Sequence, residues 1–221
     1  EIHWGGGTPN VLSAAEFLRI IHHIDFWFDV RPDVEHAIEL DPRYITPELA
    51  QAYAAAGVGR VSLGVQDLNA HVQEAIGRVQ PFEQLREGVR ILREAGLKEI
   101  SFDLMYGLPH QSTGDLARSI RLAAELRPKR IALFGYAHVP WFKRRQRLID
   151  ATALPGAHER FDQAELAGRM LNDLGYQSIG LDHFARADDP LAKAAHEGKL
   201  HRNFQGYVAE ASRAIIGIGP S

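Results

Sequence analysis

The sequence predicts an α/β fold of parallel strands joined by helical crossovers and closed as a (β/α) barrel. Two observations carry this expectation. Short β-rich runs alternate with helical patterns along the whole chain, which is the mark of parallel strands with helical connections. Nearly every run also ends in polar residues: Glu39 and Asp41, Gln66 and Asp67, Asp103 and Tyr106, Tyr136 and His138, Asp182 and His183. An open doubly wound sheet needs such residues at its switch point, whereas a barrel gathers them around one mouth.

The β-rich runs fall at residues 1–4, 35–40, 60–65, 99–105, 130–135 and 176–181. Directly after the first comes Trp4-Gly5-Gly6-Gly7-Thr8-Pro9. Three consecutive glycines are costly to order, so a tight turn does not account for them; without Cβ atoms the backbone can press against a ligand. Ser13 with Glu16 reads as a capping box ahead of Phe17, Leu18, Ile21 and Ile24. Thr46-Pro47 supplies an N-cap and a proline at the first helical position, and Gly57 closes that helix. Pro81 opens the next, which carries Leu85, Val89 and Leu92 on one face and ends at Gly96. Ser112 or Thr113 caps a helix that stops before Pro128, and a further helix covers about residues 158–174, with Gly175 behind it. Residues 184–207 are more irregular, with a short helix near 190–196, and are expected to form a substrate-side loop over the mouth. One domain over residues 1–221 is expected.

Composition limits the function classes. At 221 residues with 45% hydrophobic content the chain can bury a full core. No apolar run approaches the roughly 20 residues that cross a bilayer. A net charge of −3 without long runs of one sign argues against nucleic acid as a partner. The absence of cysteine excludes disulfides and thiolate metal ligands within these residues. Nothing at the N-terminus reads as a signal peptide. The chain lacks an initiator Met and begins inside a β-rich run, so it is expected to be a piece of a longer protein.

Several chemistries can be weighed on the residues. Glu39 and Asp103 end apolar runs, where an unpaired carboxylate is costly, so each calls for a partner or a ligand bearing hydroxyl or ammonium groups. A lone strand-end carboxylate such as Asp67 or Asp182 is as readily a helix cap or an ion-pair partner. Metallohydrolase barrels carry two His separated by one residue on an early strand, and here only His3 lies on the first run. The adjacent His22 and His23 point to different faces of a helix. Lys98 and Lys129 precede their strands, on the wrong side for a Schiff-base aldolase. Residues 141–147, Trp-Phe-Lys-Arg-Arg-Gln-Arg, are either a solvated loop or, with Arg186 and His201-Arg202, a cationic rim suited to a small polycarboxylate.

Seven segments in order, Gly-Gly-Gly-Thr-Pro, Glu39-Leu-Asp-Pro-Arg43, Ser62-Leu-Gly-Val-Gln-Asp67, Asp103-Leu-Met-Tyr-Gly-Leu-Pro109, Tyr136-Ala-His-Val-Pro140, Asp182-His-Phe-Ala-Arg186 and His201-Arg-Asn-Phe-Gln-Gly-Tyr207, carry a resemblance over almost the whole chain. The chain resembles the oxygen-independent coproporphyrinogen III oxidases, radical S-adenosylmethionine enzymes of haem synthesis. The first four segments are shared with related radical enzymes, including haem-chaperone-like proteins, and the last three are more specific to the oxidases.

The resemblance implies a partial (β/α)6 TIM-like barrel of the radical SAM type, its first strand lying before Glu1. It implies that Gly6, Gly7 and Thr8 lie against S-adenosylmethionine, with Gly5 a less certain member of the loop, and that Glu39 holds the molecule cleaved at the cluster. A second S-adenosylmethionine is implied at Gly7, Thr8, Gln66, Arg78, Asp103 and Ala137. The implied chemistry is reductive cleavage of S-adenosylmethionine by a [4Fe-4S] cluster to a 5'-deoxyadenosyl radical. That radical takes a hydrogen from a substrate propionate, which loses CO2 and an electron to leave a vinyl group. Two propionates of coproporphyrinogen III would be converted, giving protoporphyrinogen IX in the cytoplasm, with an electron donor for the cluster and neither nucleic acid nor membrane as partner. The basic rim matches a tetracarboxylate, which makes Arg144, Arg145, Arg186 and Arg202 candidate propionate contacts. The family ligates its cluster through C-x-x-x-C-x-x-C, so the ligands are expected upstream of Glu1, and the piece alone is expected to be inactive. A haem-binding relative on the same scaffold is the alternative, and a metal-dependent barrel hydrolase using His138 and His183 is a weaker one.

Overall fold

The computed structural model describes residues 1–203, 206–209 and 214–219. Within the chain two compact units are distinguished: Glu1–Val65 with Gln80–Phe102, and Gln66–Val79 with Asp103–Ser221.

The first unit is a run of parallel strands with helical crossovers. It holds β1 (Ile2–Trp4), α1 (Ala14–Trp27), β2 (His36–Leu40), α2 (Pro47–Ala55) and β3 (Arg60–Gln66, entering the second unit at its last residue). α3 (Ala70–Ala75) belongs to the second unit, after which α4 (Phe82–Glu94) and the first half of β4 (Glu99–Tyr106) complete the first. The strand order is β1-β2-β3-β4. β1 and β2 pair in parallel with His3 beside Ala37, and β2 and β3 pair in parallel with Glu39 beside Ser62. The expected caps form: Ser13 and Glu16 make a reciprocal capping box, and the Thr46 hydroxyl accepts from the Leu49 amide.

Trp4, Phe17 and Tyr53 fix β1 against α1 and α2. The Trp4 and Phe17 rings lie 4.6 Å apart and Phe17 meets Tyr53 edge-on at 4.8 Å. Buried His36 ties the cluster to the backbone. Its Nδ1 lies 3.1 Å from the Ala56 carbonyl, and the Trp4 indole donates to its Nε2 at 2.7 Å. Those two contacts require a neutral ring protonated at Nδ1. Burial pushes the His36 imidazole down from its usual range, partly offset by the Ala56 carbonyl. Because the folded pKa is depressed, the stabilisation is complete above about pH 6.5 and is lost as pH falls toward the folded value. Unfolding free energy is therefore expected to fall from pH 7 to 5, and His36→Gln to flatten that fall; parallel curves for the two proteins would contradict the role given to His36.

β3 alternates strictly, with Val61, Leu63 and Val65 buried and Ser62, Gly64 and Gln66 half-buried. Parallel sheets are normally covered on both faces and read as continuous apolar runs. The alternation therefore marks a strand face left open for something other than a helix.

In the second unit the strand order is β4-β5-β7-β6, with β5 (Arg130–Gly135), β6 (Gln177–Ile179) and β7 (His183–Ala185). α5 (Thr113–Glu125) and α6 (Ala157–Asp173) pack on one another, α7 (Pro190–His196) follows β7, and β8 (His201–Asn203) pairs antiparallel with β9 (Gly206–Val208). This differs from the sequence expectation in one respect. Residues 176–181 do not form a single terminal strand. Gly180 adopts φ +60° and turns the chain back, so β7 enters antiparallel between β5 and β6. The region 184–207 is correspondingly less irregular than expected, holding part of β7, the anticipated helix and the β8 strand. Phe204 and Gln205 of the 201–207 segment lie outside the described residues.

Candidate functional site

In the first unit the three glycines divide their work. A Cβ on Gly5 would stand 2.9 Å from Glu39 Oε2, 3.0 Å from its carboxyl carbon and 3.1 Å from Oε1. Gly6 takes φ +78°, in the left-handed region that favours glycine, while a Cβ on Gly7 would meet nothing within 4 Å among the described residues. So Gly5 admits the carboxylate, Gly6 makes the bend and Gly7 leaves open space. Thr8 precedes a 3-10 turn, and its hydroxyl makes no capping bond to it. The far end of the loop is pinned by buried Asn10, which donates to the Asp41 carbonyl at 2.8 Å and accepts from the Asp41 amide at 3.0 Å.

Glu39 points from β2 onto the open strand face, its side chain 45% exposed and its Oε1 3.0 Å from His3 Nε2. Its register partner Ser62 lies on the same face. Asp41, two residues on, is differently employed: its carboxylate accepts from the Arg43 amide and guanidinium, with Nη2 at 2.7 Å. Of the two acidic residues at this strand end, Glu39 is presented to the open face and Asp41 builds the loop.

In the second unit the corresponding construction centres on Asp67. It is fully buried, and its Oδ1 accepts from the Asn69 amide and side chain at 2.6 and 2.9 Å. Oδ2 accepts from Gln111 at 2.9 Å and Ser119 at 3.1 Å. Burial pushes its carboxyl above the usual range, against the pull of these donors. Asp67 is thus a clamp, and the residues on either side of it are what it positions. Gln66 is held at φ +64°, uncommon outside glycine and a recurrent feature of ligand sites. Gln73 donates to the Asp67 carbonyl at 2.8 Å and its own carbonyl accepts from the Arg78 amide at 2.8 Å, which fixes Arg78 beyond α3. Asp67→Asn would turn an amide nitrogen toward donors and is expected to cost about 1–3 kcal/mol of stability, measured by urea unfolding; an unchanged midpoint would contradict the clamp.

Asp103 is half-buried on β4, and Ala137 is exposed just beyond β5. The loop after Ala137 is folded by Gln146, which donates to the Ala137 carbonyl at 2.9 Å and accepts from the Val139 amide at 2.5 Å. This presents Arg144 and Arg145, both exposed, on a 3-10 turn. His138 Nδ1 lies 3.1 Å from the Tyr136 hydroxyl. His183 Nδ1 lies 2.7 Å from Asp182 Oδ1. Among the described residues no three His, Cys, Asp or Glu side chains gather as a metal site.

The cationic rim needs correction at one position. Arg130 on β5 pairs with Ala185, and the Arg186 amide bonds to the Lys129 carbonyl, so Arg186 sits where β5 begins and not where it ends. Its guanidinium donates to the Leu174 carbonyl at 2.8 Å and stacks 4.0 Å above the Tyr176 ring. The antiparallel turn at Gly180 is the cause: it sets Asp182 and His183 beside the middle of β5 and sends Arg186 back to its start. Arg202 is exposed on β8, 5.2 Å from the centre of the Tyr207 ring.

One cation escaped the sequence reading. Arg160 on α6 donates to the Tyr136 carbonyl at 2.8 Å. A Cβ on Gly107 would stand 2.9 Å from its Nε, and one on Gly135 would stand 3.2 Å from its Nη2 and 2.9 Å from the Tyr106 hydroxyl. The signal in the sequence is a glycine at each of two strand exits, which makes room for this guanidinium.

Comparison with known proteins agrees with this architecture. The family model of the Radical SAM superfamily matches residues 1–123. An oxygen-independent coproporphyrinogen III oxidase of Bradyrhizobium diazoefficiens is 46% identical over 221 residues, covering 100% of this chain and 49% of that protein. A protein of the same name from Cereibacter sphaeroides is 45% identical over the same share of each. Among solved structures, the coproporphyrinogen III oxidase of Escherichia coli, described as a radical SAM enzyme, superposes with a TM-score of 0.91 at 41% identity, over 94% of this chain and 48% of that one. The expected partial barrel accords with that likeness, and the chain spans about half the length of these relatives. With its parallel strands, glycine loop and open strand face, the chain belongs to the Radical SAM superfamily.

Proposed function

We propose that the full-length protein is an oxygen-independent coproporphyrinogen III oxidase, converting two propionates of coproporphyrinogen III to vinyl groups and yielding protoporphyrinogen IX. The observation that carries this reading is 45% identity to a relative of that name along the entire chain, including the strand-end segments of the second unit. S-adenosylmethionine suits the first unit on structural grounds: the glycine loop is a cradle that a Cβ on Gly5 would fill, beside a carboxylate on an open strand face. When bound and reductively cleaved it supplies the species that removes a hydrogen atom from the substrate, and the cluster that reduces it finds no cysteine ligand among these residues.

The chain's own work is binding and exclusion of water. Glu39 accepts hydrogen bonds from ammonium or ribose hydroxyl groups, Gly6 and Gly7 offer backbone without steric cover, and Thr8 offers a hydroxyl. A second S-adenosylmethionine is part of the same reading, with Gln66, Arg78, Asp103 and Ala137 as its contacts in the second unit. Arg144, Arg145 and Arg202 remain as contacts for substrate carboxylates. The reading includes an electron donor for the cluster, a cytoplasmic location, and no nucleic-acid or membrane partner.

The test uses coproporphyrinogen III deuterated at the β-carbons of its propionates, given anaerobically to the cluster-loaded full-length protein with S-adenosylmethionine and a reductant. Deuterium is expected in the 5'-deoxyadenosine formed. Cleavage of the cofactor with no transfer of deuterium would overturn the reading.

A further inference from the structure

Beside Arg202 of the arginine rim, the second unit contains side chains that neither the cofactor contacts nor the rim accounts for. His183 lies beside Ala132, midway along β5, with the Asp182 carbonyl accepting from the Leu133 amide at 2.7 Å. Its side chain is 15% exposed and lies between two aromatic rings: Phe134 at 5.9 Å and Tyr207 at 5.4 Å, both edge-on. Asp182 occupies Nδ1, which leaves Nε2 without a hydrogen-bond partner among the described residues. Gly206, at φ +129°, lets β9 pass close to that nitrogen, since a Cβ there would stand 3.5 Å from it.

Tyr207 is equally prepared. A Cβ on Gly180 would run into its phenol, so the glycine at the β6–β7 turn provides its seat. Its hydroxyl oxygen accepts from the Leu181 amide at 3.2 Å, and this leaves the O–H to be donated elsewhere. Arg202 holds its guanidinium over the same ring. An oriented imidazole thus lies between the Phe134 and Tyr207 rings, and Tyr207 carries a phenol with a donor to give and a guanidinium over its ring. With Nδ1–H given to Asp182, a neutral His183 presents a lone pair at Nε2 and the imidazolium presents an N–H there; in that protonated form all three groups donate, which suits an acceptor with negative charge, and the aromatic rings suit the flat pyrrole ring that carries it.

We propose that the imidazolium of His183, oriented through Nδ1 by Asp182 and assisted by the Tyr207 hydroxyl and Arg202, donates from Nε2 to a carboxylate of the tetrapyrrole substrate. This rests on the proposed function. His183 and Tyr207 are binding residues, and Asp182 is a positioning residue that acts through His183.

The test is a fluorescence titration of the full-length protein with coproporphyrin III, the stable oxidised tetracarboxylate, and separately with its tetramethyl ester. His183→Gln is expected to weaken coproporphyrin binding at least tenfold and to leave ester binding and S-adenosylmethionine binding within twofold of the parent protein. Asp182→Asn should give a smaller loss in the same direction. Arg202→Gln, at an exposed position, and Tyr207→Phe carry the test independently should His183→Gln not fold. If the parent protein binds coproporphyrin and all four variants bind it equally, the carboxylate site is overturned while the proposed function stands. If the parent protein binds no coproporphyrin, both fall. Tight binding of iron protoporphyrin that depends on His183, with equal losses for acid and ester, would also overturn it, placing iron and not a carboxylate at Nε2.

Discussion

Gly5→Ala is expected to lower S-adenosylmethionine affinity by about 10- to 100-fold while leaving stability nearly unchanged. The added Cβ meets all three atoms of the Glu39 carboxyl group at 2.9 to 3.1 Å, close enough that the carboxylate must shift by a few tenths of an ångström or more. What must give way is the far end of a flexible side chain, 45% exposed, so the fold absorbs the change for well under the cost of a core defect. The carboxylate, however, leaves the place where the proposed function has it meet the ligand. Losing a charge-assisted hydrogen bond of about 1.5–3 kcal/mol corresponds to that range of affinity. Glu39→Gln, which keeps the shape and removes the charge, should give a loss of the same order. Isothermal titration of the full-length variants reads both. Wild-type affinity in Gly5→Ala would show that Glu39 is not a contact, and a large fall in unfolding free energy would show that Gly5 is structural.

Phe17→Ala is expected to cost about 3–5 kcal/mol, the range for removing a fully buried aromatic ring. Phe17 is 0% exposed and touches both Trp4 on β1 and Tyr53 on α2. Its loss opens a cavity beneath the strand that leads into the glycine loop. Since domains are stable by only about 5–15 kcal/mol, much of the margin would go. Tyr53→Phe is the control in the same cluster. The Tyr53 hydroxyl is buried without a partner among the described residues, and burial pushes it up to about 12. Removing it should be neutral or stabilising by up to about 1 kcal/mol. Urea unfolding of the two variants should move in opposite directions or leave Tyr53→Phe unmoved; equal destabilisation would refute the packing account.

The contrast between Gly5 and Phe17 shows what was legible in the sequence. Phe17 follows a capping box at helical spacing with Leu18, Ile21 and Ile24, so its place in a core could be read locally. The triple glycine announced close backbone approach, but which glycine serves which purpose depends on Glu39, far along the chain. Period-two exposure on β3 reveals the open face, and the sequence shows it only as serine, glycine and glutamine between valines and leucine. Asp67 was ambiguous for the same reason: its partners Gln111 and Ser119 come from distant segments, and only their convergence makes it a clamp. β7 was missed because three residues after a glycine turn carry no periodic signal of their own, and the position of Arg186 followed from that miss. Arg160 was invisible because its environment is made by glycines on two other elements.

The most direct measurement is product analysis by mass spectrometry after anaerobic incubation of the cluster-loaded full-length protein with coproporphyrinogen III, S-adenosylmethionine and a reductant. The result predicted is a product that has lost two molecules of carbon dioxide and carries two vinyl groups, with Glu39→Gln forming it far more slowly. Recovery of unaltered coproporphyrinogen beside extensive cleavage of S-adenosylmethionine would contradict the account.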